Sequence, residues 1–275
     1  MKAPYRIMKS ALFYVFVFGV VLFWAFPIFW ILISSFKPDN LIVSQDLHLI
    51  FGPTLANYRK IFTSHNFFHF LYNSAYVAVV TTLIVFLAGF TGAYSLSRFR
   101  TGGFLLVFLI MLTRVAPPAA ILMPYFLIFR HLKLNNTLTA LVIVNVAQNL
   151  SFMLLMLKSF IDEIPYSIEE AARIEGASWY QILSLLIFPL ARSGILTTSI
   201  FTFIFTWNEY LFAMVLCSSN RVKTLPIAAG DFITAYAIEW GPVFSSGVVI
   251  LLPIMLLAFF VQKYIVKGLT FGAVK

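Results

Sequence analysis

Between Ser10 and Phe36 the chain carries no charged residue, and that run exceeds the roughly 20 residues a helix needs to cross the hydrocarbon core of a bilayer. Five further stretches, at about 70–97, 104–129, 137–157, 190–216 and 243–266, are uncharged or nearly so and long enough to span as helices. Backbone in lipid has to satisfy its own N–H and C=O groups, and these runs lack the alternation of a membrane barrel, so helices are expected. The fold class that follows is all-α, a polytopic membrane protein with six transmembrane helices. Only 11% of the 275 residues are charged, against about a quarter in soluble domains, which excludes an ordinary soluble protein. The first run is too long for the apolar region of a cleaved signal peptide, about 7 to 15 residues, and no small-residue cleavage site follows it, so it is expected to stay.

The formal net charge is +9, yet the basic residues sit in short groups at the ends of apolar runs, which reads as a topology signal and argues against a nucleic-acid surface. With the amino terminus inside, the inner segments hold 11 basic residues (Lys2, Arg6 and Lys9 first, Lys263, Lys267 and Lys275 last) and the outer segments 7, leaving Arg114 within the third span. Both termini are therefore expected to be cytoplasmic. Cys217 is the single cysteine, so no intrachain disulfide forms. The connections 37–69 and 217–242 are long on the outer side and 158–191 on the inner. None is large enough to bury a core of its own, and no repeat of 20 to 50 residues is visible, so residues 1–275 read as one domain.

The inner connection is a polar module in an otherwise lipid-soluble chain. Ser167 followed by Glu170 predicts a capping box, with Pro165 upstream and Glu169 and Glu170 in the first turn, where the helix dipole favours negative charge. Gly176 predicts a left-handed stop, and Ser178 followed by Gln181 predicts a second capping box: helix, glycine turn, helix. Ile164, Ile168, Ala171 and Ala172 recur at about one turn, a narrow apolar stripe with small residues at its centre, flanked by Glu169, Glu170, Arg173 and Glu175. Small residues let another surface approach closely. A helix lying on lipid headgroups would carry Lys or Arg and large apolar residues, and this one is acidic with alanine at its centre.

The run EAARIEG, with Pro189 thirteen residues after Gly176, is similar to the EAA loop of membrane subunits in binding-protein-dependent ABC importers. The chain resembles the carbohydrate-uptake branch, in particular the smaller permease subunit of maltose-type systems, over nearly its full length. The supporting segments are SSFKP (Ser34 to Pro38), NSAYVAVVTT (Asn73 to Thr82), GAYSLSRF (Gly92 to Phe99), FTWNEYLFA (Phe205 to Ala213) and KGLTFGAVK (Lys267 to Lys275). Leu186 and Phe188 stand where the family often has Ile and Leu before the proline, both apolar replacements.

The resemblance implies a type I ABC importer transmembrane domain whose inner loop seats in a cleft of a separate cytoplasmic ATPase dimer. Coupling would run through Glu169, Glu170, Ala171, Ala172, Gly176 and Pro189. It implies a second homologous permease subunit, an extracytoplasmic solute-binding protein and a sugar-like solute, in a bacterial or archaeal cytoplasmic membrane. It also implies that the outer segment 218–241, with Asp231, Tyr236 and Trp240, meets the binding protein; the alternative is a plain connecting loop. The tail 268–275 resembles a segment that contacts the ATPase interface. No Gly is followed by Lys, so the phosphate-cradling GxxxxGK[ST] loop is absent. The chain is expected to be no enzyme and to bind no cofactor, with ATP and Mg²⁺ on the partner ATPase.

Polar residues inside spans tend to face a bundle interior or a water-filled path. Asn145, Gln148 and Asn149 in the fourth span, and Trp207, Asn208 and Glu209 beside Tyr210 in the fifth, suit a hydroxyl-rich solute, which stacks on rings and exchanges hydrogen bonds. The alternative is bonding between helices or to the second permease, and in maltose-type systems the sugar contacts come mainly from the larger subunit. Gly89 and Ala93 mark close helix packing. Arg114, followed by Pro117 and Pro118, reads either as a functional charge beside a broken helix or as a structural kink.

Two rival classes remain. A membrane enzyme would need a site: His65 and His69 lie one turn apart, but HExxH is absent, and Glu169-Glu170-Ala171-Ala172-Arg173 falls one residue short of the EExxxR of intramembrane proteases. A secondary transporter would show a coupling carboxylate or broken helices in two related halves, and no such symmetry is visible in the sequence.

Overall fold

Apolar runs free of charge pass directly into long helices in the computed structural model, which describes residues 3–44, 46, 48–64 and 66–271. In chain order the helices are α1 (Ala3–Ser35), α2 (Asp39–Ile42), α3 (Ala56–Ser64), α4 (Phe67–Arg98), α5 (Gly103–Val115), α6 (Pro118–His131), α7 (Leu138–Asp162), α8 (Tyr166–Ile174) and α9 (Trp179–Gln181). A π-helical segment, Ile182–Ile187, leads into α10 (Phe188–Leu190), then α11 (Arg192–Trp207), α12 (Leu211–Leu216), α13 (Leu225–Gly230) and α14 (Trp240–Phe271). Among the described residues there is no strand, only an isolated antiparallel bridge between Ile233 and Ile238. Lys2, His65, Lys275 and residues 272–275 of the tail lie outside the described residues.

Four helices are long and apolar enough to span singly, within α1, α4, α7 and α14, and two bent pairs bring the number to six if each pair is one span. Two of the expected spans are interrupted. The run at 104–129 is not one rod: α5 and α6 meet at 95°, because Pro117 and Pro118 offer no N–H to continue α5 and hold Ala116 and Pro117 extended. At about 20 Å, neither half crosses the hydrocarbon layer alone. The run at 190–216 likewise fails to continue: α11 stops at Trp207, and α12 begins four residues later, at Leu211, because the Glu209 carboxylate accepts from the Phe212 and Ala213 N–H groups, capping a new helix. The stretch before it, Trp179 to Leu190, meets α11 at 78°. The break expected as one reading of Pro117 and Pro118 is thus present, and α11 is set off from the helical segments on both sides of it.

The chain divides into two compact units, residues 1–67 with 229–252 and residues 68–228 with 253–275. In the first, the buried Asn57 amide donates to the Ser35 and Lys37 carbonyls, tying the end of α1 to α3. In the second, α7 is the spine. Its C-terminal half packs Met153, Leu157 and Ile161 against Val85, Phe90 and Ala93 of α4, with Ile182 and Ile187 of the π segment closing the cluster. Its other half packs Leu141 and Val144 with Phe129, Phe212 and Leu216. Gly89 allows this approach, since a Cβ there would stand 2.4 Å from the Met153 side chain. The expected close packing at Gly89 and Ala93 is observed.

Candidate functional site

The module between α7 and α11 has the expected helix, glycine, helix order with one change at its start. Pro165, not Ser167, is the N-cap residue of α8; Ser167 lies within the helix and no side-chain cap forms. Proline presets the entry dihedral, so the helix begins one residue before the expected box could close. Gly176 is left-handed at φ +87°, with Ala177 N–H donating to the Ala172 carbonyl and Gly176 N–H to the Arg173 carbonyl, the Schellman stop. The second box forms as expected: Ser178 Oγ accepts from Gln181 N–H while the Gln181 side chain accepts from Ser178 N–H.

Burial separates two adjacent carboxylates. Glu169 is fully buried, ion-paired with Arg98 at 2.5 Å and accepting from the Tyr94 hydroxyl at 2.7 Å. Arg98 also donates to the Ile161 and Ile164 carbonyls at the end of α7, so one guanidinium holds α4, α7 and α8 together. Arg173 joins the halves of the module, donating to the Tyr166 hydroxyl and lying 3.9 Å over the Trp179 ring. Glu170, Ala171 and Gly176 face outward, Ala172 is half-buried, and Ile174 is 88% exposed. Arg98 and Ile174 had not been singled out: the first looked like a topology charge, and the second falls outside the alanine-centred stripe.

Pro189 sits in α10, directly after the π segment. A proline removes one N–H and crowds the carbonyl four residues back, here that of Leu185, and a π bulge is one way to absorb the misfit.

The polar residues of the spans converge on a cavity of about 420 Å³ within the second unit. Asn145 and Asn149 come from α7 with Gln148, and Asn208 and Glu209 from the α11–α12 break. Arg114, at the end of α5, closes another side, donating to the Gln148 carbonyl at 3.2 Å. Asn149 donates to the Asn145 carbonyl and lies 3.4 Å from the Thr206 hydroxyl. Trp207 does not line the cavity; it is buried and stacked on Phe203, while Tyr210 supplies the ring. Both helix breaks open on this cavity, in keeping with the rule that irregular backbone at membrane depth lines a cavity or is buried in protein.

In the first unit, Tyr236 is 99% exposed at the tip of a tight turn closed by Thr234 and Ala237, with Asp231 exposed before it and Trp240 stacked on Phe244 after it. In the second unit, His69 has Nε2 2.7 Å from the Arg221 carbonyl oxygen, while His65 lies outside the described residues. Among the described residues no cluster of three His, Cys, Asp or Glu could hold a metal.

Residues 82–271 match the family described as binding-protein-dependent transport system inner membrane component. The chain is 34% identical over 253 residues to the sulfoquinovosyl glycerol transport system permease protein SmoH of Agrobacterium fabrum, covering 91% of this chain and 88% of that one. It is also 34% identical over 253 residues to the trehalose transport system permease protein SugB of Mycobacterium tuberculosis, covering 90% and 92%. Its fold is that of a chain in the crystal structure of a bacterial ABC transporter that imports alginate, with TM-score 0.78, 24% identity and coverage of 96% and 98%. The chain thus shares its overall fold with that transporter chain, and it is a member of the family of inner membrane components of binding-protein-dependent transport systems.

Proposed function

We propose that this chain is one of two permease subunits of an ATP-driven importer for a sugar or sugar-like solute. Extracytoplasmic binding protein delivers the solute, and a separate ATPase dimer, holding ATP and Mg²⁺, drives alternating access through the loop between α7 and α11. The solute class rests on the similarity to permeases named for trehalose and sulfoquinovosyl glycerol transport. The excess of basic residues in the segments on the side of the termini, 11 against 7, supports a cytoplasmic location for both.

The observation that carries the coupling role is the outward face of α8. Glu170, Ala171 and Ile174 point away from the chain's own core, on a helix anchored from behind by the Glu169–Arg98 pair. A rigid, anchored helix transmits displacement, whereas a loosely held one would absorb it. Gly176, just past the end of α8, is also exposed, with open space where a side chain would be. The solute path runs past Asn145, Gln148, Asn149, Asn208 and Glu209, with Trp207 packed behind it. The turn bearing Asp231, Tyr236 and Trp240 meets the binding protein.

In cells expressing the complete transporter, Gly176→Asp is expected to leave the chain in the membrane at normal level while solute uptake falls about tenfold or more, within the range of ordinary coupling energies. Normal uptake at normal subunit levels would overturn the coupling role. Uptake by the purified chain alone, without nucleotide, would overturn the importer reading itself.

A further inference from the structure

We infer that the cavity between α5, α7 and the α11–α12 break is built to receive the acidic group of an anionic sugar, with Arg114 as its partner. The inference rests on the reading of this cavity as part of the solute path.

Two side chains of charged type, Arg114 and Glu209, reach the cavity, and they are differently committed. Both carboxylate oxygens of Glu209 accept backbone N–H bonds from the first turn of α12, at 2.6 Å from Phe212 and 3.0 Å from Ala213. Its charge is thereby met by helix-end dipoles as well as by hydrogen bonds. Arg114 does not pair with it: no Arg114 nitrogen lies within 4.0 Å of a Glu209 oxygen among the described ion pairs. Among the described residues the guanidinium makes one hydrogen bond, to the Gln148 carbonyl, and it lies 5.6 Å from the Phe152 ring centroid. A guanidinium has five N–H donors, so most remain available, and their fork geometry matches a carboxylate, sulfonate or phosphate.

The neighbours are suited to the remainder of such a solute. Asn145 donates its amide N–H to the Leu141 carbonyl, Asn149 to that of Asn145 and Asn208 to that of Ile204, so each side-chain carbonyl is left as an acceptor. Sugar hydroxyls would donate to these acceptors, and the Tyr210 and Phe205 rings, also on the wall, offer faces for the pyranose. A neutral sugar would use the acceptors and leave the guanidinium unmatched at membrane depth. An acidic sugar matches both.

The test uses the purified complex of this chain with the second permease and the ATPase, nucleotide-free, in nanodiscs of zwitterionic lipid, without binding protein. Saturation-transfer NMR with glucuronate against glucose, and galacturonate against galactose, reads the preference. The acids should bind about tenfold tighter, the gain of one charge-assisted pair. Arg114→Gln should bring acid and neutral sugar to parity, and Arg114→Lys should keep most of the preference. Equal binding of acid and neutral sugar to the wild type would overturn the inference, and so would a preference that survives Arg114→Gln. A preference abolished by adding phosphatidylglycerol to the nanodisc would assign the guanidinium to lipid headgroups and overturn it as well. Uptake in cells separates this from the underlying reading. If Asn149→Leu and Asn208→Leu abolish uptake while no acid preference exists, the path stands and the anion site falls; if both variants transport normally, the path itself falls.

Discussion

Glu169 and Glu170 are chemically equivalent neighbours with opposite surroundings, and the difference is worth several kcal/mol. Removing one partner of a buried ion pair typically costs about 3–5 kcal/mol because the other charge stays behind without compensation, whereas a surface carboxylate usually changes stability by about 0.5 kcal/mol or less. Glu169→Ala should therefore loosen the junction of α4, α7 and α8, seen as faster amide hydrogen exchange across residues 161–176, with Glu170→Ala leaving that exchange unchanged. Equal exchange in both variants would show that the Arg98 pair does not anchor the loop. In the sequence both residues read as first-turn acids favoured by the helix dipole, and nothing local distinguishes them. Gly176 is different: the left-handed turn was legible from residue type, because a glycine between two capped helical segments has few other uses.

At the level of elements, the long rods were legible and the breaks only partly so. Apolar length specifies α1, α4, α7 and α14 and draws continuous spans through Pro117 and Asn208, with only the proline pair offering a kink or break in the sequence. Proline pairs and a capping carboxylate override apolar periodicity because each removes or diverts backbone hydrogen bonds, an effect a hydropathy average does not register. The contact of α7 with α11 illustrates packing that no single element reveals. A Cβ at Gly194 would lie 2.4 to 2.9 Å from Phe160 ring and Cβ atoms, so α11 reaches α7 at this point only without a side chain. Gly194→Leu should part the two helices and cost about 1–3 kcal/mol, as overpacking does, lowering the thermal midpoint of the purified protein in detergent. An unchanged midpoint would mean that Phe160 has room to swing aside.

Over the whole molecule the unfinished surfaces matter as much as the cores. The α1 segment from Leu12 to Phe26 presents nearly all its large apolar side chains outward, a surface that suits lipid or a second apolar chain. Co-expression with the second permease subunit should raise the midpoint of this chain in detergent by about 5 °C or more, since 1 kcal/mol shifts a chain of this size by roughly 2–4 °C. No shift would argue that lipid alone covers these faces. The amino-acid sequence by itself determined the membrane setting, the helical class, the helix–glycine–helix loop and the set of polar residues available to a solute, because these follow from local composition and spacing. Tertiary structure alone decided that Glu169 turns in while Glu170 turns out, that Trp207 packs behind the cavity, and that Arg114 meets α7 amides and the α11–α12 break across more than thirty residues of chain. The reason is that burial and convergence depend on which helices touch, and the 95° bend at Pro117 and the break at Asn208 set those contacts where hydropathy predicts straight rods.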